Sequence, residues 1–413
     1  MERKVLLAIA DGLGDRPCEA LGNKTPLEYA ETETLDMLAK NGTTGIMDLY
    51  KAGVPVGTDL GHLILFGYGI EDYPGRGPIE AFGKGMELIE GDVAFRCNFA
   101  TVDDDMNIVD RRAGRIREGT KKLADALSGM MIDGITVLFK EATEHRAVMV
   151  LRGENLSSAI SDTDPKKEGL KIKTSTAKDD SKEAAFTADL LNKVIVKAHE
   201  ILKNHPLNIK RIEEGKFPAN CIVTRGAGKM PKIEKITEKL KFKACCIAAE
   251  DTVLGAARLA GFETVTDSSF TGNIDTNIEK KAKAAVGALK TNDLVVLHYK
   301  ATDLMGHDNN PQGKVEAIEK YDKMLKIVLN LIKEEKLNDV IIALAADHST
   351  PCERKEHSGD PVPVVINGKS IRKDYVEKYD EISCSQGGLN RIKGSDFISI
   401  LLDYLELVVK QGN

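Results

Sequence analysis

The sequence predicts an α/β protein with a doubly wound sheet and a smaller α/β domain inserted into it. Short, uninterrupted apolar runs indicate central strands that are buried on both faces. Helical patterns between these runs favour a doubly wound arrangement. A long middle segment of different character has glycine- and proline-rich borders, which are typical of joints between domains.

Three apolar runs share one design, because each is followed shortly by an aspartate. The runs are residues 5–10 before Asp11, residues 294–297 before Asp303, and residues 340–346 before Asp347. In open α/β sheets the ligand site lies beyond the carboxyl ends of the strands. We therefore expect these three acids, far apart in sequence, to meet at one site.

Helical patterns account for much of the remaining chain. Residues 276–289 are rich in lysine and alanine, and residues 314–333 carry apolar side chains close to a period of 3.6. In the middle segment, residues 180–205 have the pattern of an amphipathic helix, with Asp180 and Glu183 as a variant capping box.

The domain borders follow from composition. The chain has 413 residues, which allows two or three domains. Glycine- and proline-rich stretches border the middle segment at residues 73–78 and 225–231. From these we predict a main domain made of residues 1–70 and 242–413, and an inserted domain of residues 71–241.

Composition also excludes several kinds of protein. Hydrophobic residues make up 42% of the chain, enough for a sizeable core, and the net charge is −6 with both signs mixed throughout. A protein that binds nucleic acid or anionic membranes needs a net basic face, so we expect neither partner. The Gly-x-x-x-x-Gly-Lys-Ser/Thr run of P-loop enzymes does not occur in the sequence.

The cysteines and the N-terminal residues indicate the compartment. The seven cysteines are scattered and form no Cys-x-x-Cys pair, so neither a zinc ribbon nor a disulfide scaffold is indicated. Buried free thiols in a reducing environment explain them. The apolar run at residues 5–10 is too short for a signal sequence, and no run reaches the roughly twenty residues of a membrane span. We expect a soluble, cytoplasmic protein.

Histidines near the three aspartates indicate metal binding, because mixed histidine and carboxylate sets suit Mn²⁺, Zn²⁺ or Fe and can hold two ions. His307 follows Asp303 by four residues, which on a helical turn places both side chains on one face. His348 adjoins Asp347, and His357 follows after a short loop. Taken singly, each histidine also suits a surface or capping role, whereas the set at strand ends favours a metal site. The candidate ligands are Asp11, Asp303, His307, Asp347, His348 and His357.

Thr58 is the candidate nucleophile. It lies between a glycine- and proline-rich loop and an apolar stretch that can continue a helix, so we expect it near a helix N-terminus. Free backbone N–H groups and the helix dipole favour a phosphate there. A divalent cation lowers the pKa of a bound hydroxyl and so supplies an alkoxide. The alternative is an ordinary N-cap threonine.

These residues fall in motifs of a known family. The motifs are Asp11-Gly, Gly-Thr58-Asp-x-Gly-His62, Asp303-x-x-Gly-His307, Asp347-His348 and His357, with supporting stretches at residues 75–81, 91–98 and 110–115. Through them nearly the whole chain resembles the archaeal type of cofactor-independent (2,3-bisphosphoglycerate-independent) phosphoglycerate mutases, within the alkaline phosphatase superfamily. The resemblance implies an alkaline-phosphatase-like, metal-binding main domain and an inserted phosphotransferase domain.

The resemblance also implies the metal sites. Two divalent ions are implied, of which Mn²⁺ is the first choice while Zn²⁺, Mg²⁺ and Co²⁺ stay open, and no 2,3-bisphosphoglycerate is needed. One metal would be held by Asp303, His307 and His357, and the other by Asp11, Thr58, Asp347 and His348. The family usually has serine where Thr58 stands. Threonine keeps the hydroxyl but adds a methyl group beside the attacking oxygen.

In the family, the inserted domain clamps the glycerate while phosphate moves. Arginine forks match phosphate and carboxylate oxygens in pairs, although scattered arginines also suit a solvated basic surface. The resemblance assigns substrate binding to Arg111, Arg112 and Arg115, with Asp110 as general base. Further candidates for substrate contact are Arg76, Arg96, His145 and Lys300.

The function implied by the resemblance is interconversion of 3-phosphoglycerate and 2-phosphoglycerate in glycolysis and gluconeogenesis, through a phosphothreonine on Thr58. The nearest alternative is a metal-dependent phosphatase or phosphotransferase for another small phosphorylated metabolite, since fold does not determine function. A non-catalytic protein with structural metals is more distant, because structural sites need no hydroxyl nucleophile. The expected partner is a small phosphoglycerate, and the sequence does not indicate an oligomeric state.

Overall fold

A computed structural model describes residues 3–412 of the chain. These residues form two compact units. The main unit consists of two segments of the chain, one that ends at Tyr73 and one that begins at Glu234. The inserted unit spans Pro74–Ile233. The borders predicted from the sequence, at residues 70/71 and 241/242, lie a few residues from the ends of these units.

Strands and helices alternate along much of the main unit, whereas strands dominate the first part of the inserted unit. The strands described within residues 3–412 are, in chain order, β1 (Lys4–Ala10), β2 (Gly42–Asp48), β3 (Val93–Val102), β4 (Ile108–Asp110), β5 (Met130–Ile132), β6 (Ile135–Glu141), β7 (Arg146–Arg152), β8 (Cys221–Lys229), β9 (Ala244–Ile247), β10 (Glu263–Val265), β11 (Leu294–Tyr299), β12 (Val340–Ala345), β13 (Val362–Asn367) and β14 (Asn390–Lys393). The α-helices described there are α1 (Pro26–Tyr29), α2 (Glu33–Lys40), α3 (Thr58–Leu65), α4 (Arg76–Gly83), α5 (Thr120–Leu127), α6 (Lys182–Lys203), α7 (Pro206–Glu213), α8 (Ile236–Leu240), α9 (Asp251–Leu259), α10 (Ile278–Leu289), α11 (Ala301–His307), α12 (Pro311–Glu334), α13 (Glu381–Cys384) and α14 (Gly394–Tyr404).

The main unit is built on one sheet whose described strands have the order β10-β9-β11-β1-β12-β13-β2-β14. Neighbouring strands from β10 to β12 run parallel. Strand β13 is antiparallel to both β12 and β2, and β14 is parallel to β2. Strand β1 lies between β11 and β12, with Ala8 in register with Leu297 and Leu344. The three predicted apolar runs are therefore neighbours that end at the same edge of the sheet.

The central strands are apolar throughout because both of their faces are covered. Every residue from Val5 to Ala10 is fully buried. Two groups of helices pack among themselves, one of α1, α2, α10, α11 and α12, and the other of α3, α9 and α14. The predicted doubly wound α/β fold is confirmed.

Two of the predicted helices, α10 and α12, begin where a capping side chain is available. Asn277 caps α10 by accepting a hydrogen bond from the N–H of Lys280 at 2.9 Å. Asn310 caps α12 by accepting from the N–H of Gly313 at 2.9 Å. Pro311 takes the first position of α12, where its missing N–H costs nothing. Apolar spacing does not locate such starts, and α12 begins three residues earlier than predicted.

The inserted unit contains an antiparallel sheet. Strand β3 pairs with β7 on one side and β8 on the other, β7 pairs with β6, and β6 pairs with β5. Strand β4 pairs with the last residues of β3. A buried apolar cluster that includes Phe95, Phe99 and Leu191 forms a separate core for this unit.

Helix α6 is the predicted amphipathic helix of the inserted unit, and its apolar side, including Leu191, is buried. It begins after Ser181, whose hydroxyl accepts a hydrogen bond from the N–H of Ala184 at 3.1 Å. The capping pair predicted from Asp180 and Glu183 is wrong, because Ser181 occupies the capping position.

Two further expectations concern the chain as a whole. Within residues 3–412, no helix is at once long enough and apolar enough to cross a membrane. All seven cysteines are buried and carry free thiols, as their scattered spacing predicts.

Candidate active site

The polar residues of the main unit gather at the carboxyl ends of three adjacent strands. Asp11 directly follows β1, and Asp347 and His348 follow β12 after one further residue. Beyond β11 the chain enters α11, which carries Asp303 and His307 one turn apart. Adjacent parallel strands end at the same edge of a sheet, so the structure brings these side chains together.

The first set of candidate ligands is Asp303, His307 and His357. The Nε2 atoms of the two histidines lie 3.4 and 3.5 Å from Oδ1 of Asp303, and 3.2 Å from each other. Nδ1 of His307 donates to the carbonyl of Lys355 at 2.9 Å, and Nδ1 of His357 donates to the carbonyl of Val56 at 2.8 Å. A carbonyl only accepts, so each Nδ1 bears a proton and each Nε2 offers a lone pair. Two lone pairs and a carboxylate oxygen thus converge.

The second set is Asp11, Asp347, His348 and Thr58. Nε2 of His348 lies 3.4 Å from Oδ1 of Asp11, 3.2 Å from Oδ2 of Asp347 and 3.2 Å from Oγ1 of Thr58. The N–H of Gly12 donates to Oδ1 of Asp347 at 3.1 Å. The other oxygen, Oδ2, is buried and has no hydrogen-bond partner among residues 3–412.

Both sets fit divalent cations. A buried carboxylate oxygen without a hydrogen bond is costly unless a cation satisfies it. Histidine nitrogens whose other ring nitrogen is held by a carbonyl are the usual metal-ligand arrangement. The donors are imidazole, carboxylate and one hydroxyl, which suits Mn²⁺, Zn²⁺ and related ions.

Lys300 lies between the two sets. Its Nζ is 2.9 Å from Oδ1 of Asp11 and 2.5 Å from Oδ2 of Asp303. Burial lowers the pKa of Lys300, but the carboxylates of Asp11 and Asp303 outweigh burial and raise this pKa above its usual value. The site therefore concentrates negative charge that a lysine already partly neutralises.

Thr58 is the first residue of α3, as predicted for a hydroxyl at a helix N-terminus. The capping position belongs to Gly57, so the alternative of an N-cap threonine is excluded. His62, one turn later, donates from Nδ1 to the carbonyl of Thr58 at 2.8 Å, and the same nitrogen lies 3.3 Å from Oδ2 of Asp347. Thr58 thus presents its hydroxyl to His348 while the first N–H groups of the helix lie beside it.

In the inserted unit, Arg76 and Arg96 share one acidic partner. Their Nε atoms lie 3.0 and 2.6 Å from Oε1 of Glu80. Arg96 is in register with Arg225 across the pairing of β3 with β8. Burial and the charges of neighbouring arginines lower the pKa of Arg96 despite Glu80. Arg225 belongs to this group and was not predicted from the sequence.

Arg111 is bound to a buried acid of the same unit. Its Nε and Nη2 lie 3.2 and 2.7 Å from the two oxygens of Asp164, and Nε of Arg225 lies 3.3 Å from Oδ2 of Asp164. Asp164 therefore joins two arginines, and it was also missed. Its signal in the sequence is an acid beside a proline turn, which is too common to single out.

The remaining predicted substrate residues form another group. Oδ1 of Asp110 accepts hydrogen bonds from the N–H groups of Arg112 and Gly114 at 2.7 and 3.1 Å, which shapes the turn after β4. His145 is buried, and burial together with nearby arginines, including Arg112 and Arg115, lowers its pKa. The structure thus brings Arg112, Arg115 and His145 together.

Comparison with known proteins identifies the family. The sequence model of 2,3-bisphosphoglycerate-independent phosphoglycerate mutase matches residues 39–208. The protein of that name from Methanobrevibacter smithii is 45% identical over 99% of this chain and 100% of its own length. The one from Thermococcus kodakarensis is 46% identical over 100% of this chain and 99% of its own length. The chain belongs to this family.

Two solved structures of other proteins share the fold of this phosphoglycerate mutase. A cofactor-independent phosphoglycerate mutase from Thermoplasma acidophilum has a TM-score of 0.74 and 34% identity, covering 98% of this chain and 100% of that one. A protein from Pyrococcus horikoshii has a TM-score of 0.84 and 38% identity, with 100% of both chains covered. The predicted membership of the cofactor-independent phosphoglycerate mutases is confirmed.

One buried pair beside Asp11 of this phosphoglycerate mutase, His298 with Glu250, was not predicted from the sequence. Nε2 of His298 lies 2.9 Å from Oδ2 of Asp11, and its Nδ1 lies 3.3 Å from Oε2 of Glu250. Burial lowers the pKa of His298, but the two carboxylates outweigh burial and raise it. The available signal was a histidine at the end of a wholly apolar run, where a side chain is expected to be buried.

Proposed function

We propose that the protein interconverts 3-phosphoglycerate and 2-phosphoglycerate through a phosphothreonine on Thr58, without 2,3-bisphosphoglycerate. The observation that supports this most directly is the hydroxyl of Thr58. It lies at the N-terminus of α3 and 3.2 Å from Nε2 of His348, within a set of buried acids. A structural threonine has no need of these neighbours.

Two divalent cations would lower the pKa of the Thr58 hydroxyl and neutralise charge on the phosphoryl oxygens. We propose Mn²⁺, with Zn²⁺, Mg²⁺ and Co²⁺ as alternatives that the same donors accept. The proposed ligands are Asp303, His307 and His357 for one ion, and Asp11, Thr58, Asp347 and His348 for the other.

The transfer takes two displacements. In the first, the deprotonated oxygen of Thr58 attacks phosphorus in line, the bond from phosphorus to the 3-oxygen of glycerate breaks, and that oxygen takes up a proton from solvent. In the second, the 2-hydroxyl of glycerate attacks the phosphothreonine, which restores Thr58. Lys300 offsets the charge that the phosphoryl oxygens gain, and the N–H groups of α3 donate hydrogen bonds to the same oxygens. Asp110 takes the proton from the attacking glycerate hydroxyl.

The inserted unit holds glycerate between the two steps, because loss of glycerate would leave water to hydrolyse the phosphothreonine. Arginine forks suit its carboxylate. The proposed binding residues are Arg76, Arg96, Arg111, Arg112, Arg115 and His145. The main unit in this proposal binds metals and carries the nucleophile, and the inserted unit binds the substrate.

Phosphorus NMR tests the proposal. The protein is stripped of metal, supplied with 3-phosphoglycerate and no bisphosphoglycerate, and then given Mn²⁺. We expect 2-phosphoglycerate to appear only after the metal is added, with little inorganic phosphate. Inorganic phosphate as the main product would identify a phosphatase that uses the same nucleophile. No reaction with any of the four cations would refute the substrate assignment.

A further inference from the structure

Thr350 links the two sets of candidate ligands. It is fully buried and lies two residues after His348. Its Oγ1 lies 2.6 Å from Oδ1 of Asp303, which belongs to the first set. The same oxygen lies 3.0 Å from Nδ1 of His348, which belongs to the second set. One hydroxyl thus contacts a ligand of each proposed cation.

The number of protons determines the direction of these two hydrogen bonds. A carboxylate that ligates a cation is ionised and can only accept. The hydroxyl of Thr350 has one proton, which it donates to Asp303. It must therefore accept from Nδ1–H of His348. The lone pair of His348 is then on Nε2, the atom that faces Thr58 and the acids of the second set.

The backbone around Thr350 holds this hydroxyl in place. Its N–H donates to the carbonyl of Gly14 at 3.0 Å, and its own carbonyl accepts from Nζ of the buried Lys314 at 3.0 Å. A Cβ atom at Gly12 would lie 2.5 Å from Oγ1 of Thr350, and one at Gly306 would lie 2.4 Å from its carbonyl oxygen. The chain passes so close on both sides that the threonine has little room to turn.

We propose that Thr350 is a positioning residue for both metal sites: its hydroxyl fixes the ring nitrogen that His348 offers and the orientation of the Asp303 carboxylate. The inference rests on the two-cation function proposed above. Because the same hydroxyl contacts both sets, its removal weakens both binding events rather than one. A threonine with a merely structural role would affect neither.

Calorimetric titration of the metal-free protein with Mn²⁺ tests this. Thr350→Val keeps the shape but removes the hydroxyl, and we expect both affinities to fall about 10- to 100-fold, as for other partners of metal ligands. Thr350→Ser keeps the hydroxyl and should bind like the wild type. Thr44→Val is the matched control. Thr44 lies on strand β2, is also fully buried, and donates a hydrogen bond from its hydroxyl to the carboxylate of Asp374 at 2.9 Å.

The outcomes separate this inference from the proposed function. Wild-type affinities in Thr350→Val overturn the positioning role and leave the two-cation function standing. An equal loss in Thr44→Val also overturns it, because the effect would be general. A wild-type protein that binds no Mn²⁺, Zn²⁺, Mg²⁺ or Co²⁺ overturns both proposals. Thermal unfolding of each variant shows whether it is folded.

A second measurement does not depend on the fold of Thr350→Val. Nitrogen-15 NMR of the Zn²⁺-loaded wild type, with His348 assigned by its loss in His348→Gln, reports the state of each ring nitrogen. We expect the metal on Nε2 and a slowly exchanging proton on Nδ1, as a hydrogen bond to Thr350 requires. A proton on Nε2, or an Nδ1 proton that exchanges freely with water, contradicts the proposal.

Discussion

The main unit and the inserted unit hold their charged residues in different ways. In the main unit, Asp11 and Asp347 follow parallel strands and Asp303 lies on α11. All three are buried, and the charge of Asp11 acts on both of the others. In the inserted unit, the candidate arginines lie at the start of α4, on strand β3 and in the turn after β4, and several keep much of their side chain in solvent. Arg76 is half exposed and bound to Glu80.

The difference agrees with the proposed division of roles, in which the main unit carries the chemistry and the inserted unit binds the substrate. Burying three like charges is destabilising unless cations are bound, so such a cluster indicates catalytic demand. Half-exposed ion pairs contribute little to stability, about 0–1 kcal/mol, and they exchange partners easily. We therefore expect substitutions in the main unit to stop catalysis, and those in the inserted unit to weaken substrate binding.

The largest effect is expected at Thr58. Thr58→Val removes the nucleophile and keeps the shape, so the mutase rate should fall by on the order of 10⁴-fold or more. Thr58→Ser keeps the hydroxyl and should remain active. Mass spectrometry of acid-quenched protein should find phosphate on Thr58 in the wild type, and on the serine in Thr58→Ser. A Thr58→Val protein with wild-type turnover would falsify the phosphothreonine.

Asp110 tests whether the inserted unit also contributes chemistry. If it is the general base, Asp110→Asn lowers kcat about 10²- to 10⁴-fold. The amide oxygen of asparagine still accepts from the N–H groups of Arg112 and Gly114, so the turn is preserved. Wild-type kcat in Asp110→Asn, together with a loss in Asp110→Ala, would show that Asp110 only shapes the turn.

A smaller effect is expected for arginines that bind the carboxylate. Arg112 is exposed to solvent, and its charge acts on His145. Arg112→Ala should lower kcat/KM about 10- to 100-fold through loss of a charged hydrogen bond. The fraction of phosphate released as inorganic phosphate should rise, while Mn²⁺ affinity stays unchanged. Lys121→Ala, on the same unit, is the control, because Lys121 forms a surface ion pair with Asp125. Equal kinetics in the two variants would argue against the clamp.

The smallest effect concerns stability. Burial raises the pKa of Glu381 to about 7, although Thr25 and the N–H of Asp15 donate hydrogen bonds to its carboxylate. A raised carboxyl pKa means that the folded state prefers the proton, so stability is lost as pH rises from the unfolded pKa of about 4.3 through 7. Glu381→Gln should therefore raise the free energy of unfolding by on the order of 1–3 kcal/mol at pH 8, and should leave it unchanged below pH 4.

Asp164 of the inserted unit should behave in the opposite way. Burial raises the pKa of Asp164, but Arg111 outweighs burial and lowers it. Asp164 therefore contributes to the free energy of unfolding at pH values above its pKa in the unfolded chain. This contribution is lost as the pH falls through its pKa in the folded protein. Chemical denaturation across pH, with Glu381→Gln and wild type side by side, measures both trends. A Glu381→Gln gain that is the same at pH 4 and pH 8 would contradict the first of them.

Much of the main unit could be predicted from the sequence, because its strands and the acids that follow them are determined by short stretches of the chain. An uninterrupted apolar run must be a strand covered on both faces, and the first polar residue after it must lie at the edge of the sheet. Asp11 and Asp347 were located by that rule, and Asp303 by its place a few residues after the third apolar run. Thr58 was located by a glycine–proline loop followed by an apolar helix.

The rest depends on which distant residues become neighbours, and that is decided only by tertiary packing. His298 reaches Asp11, and Thr350 reaches Asp303, because particular strands lie side by side in a particular register. Arg225 joins Arg96 because β8 pairs with β3. By itself, the sequence determined the fold class and the acids near the strand ends, since hydrophobic spacing acts over a few residues. The family was determined by its ordered motifs. Tertiary structure decided the hydrogen bonds and charges around those acids, since side chains hundreds of residues apart meet only once the sheet has formed.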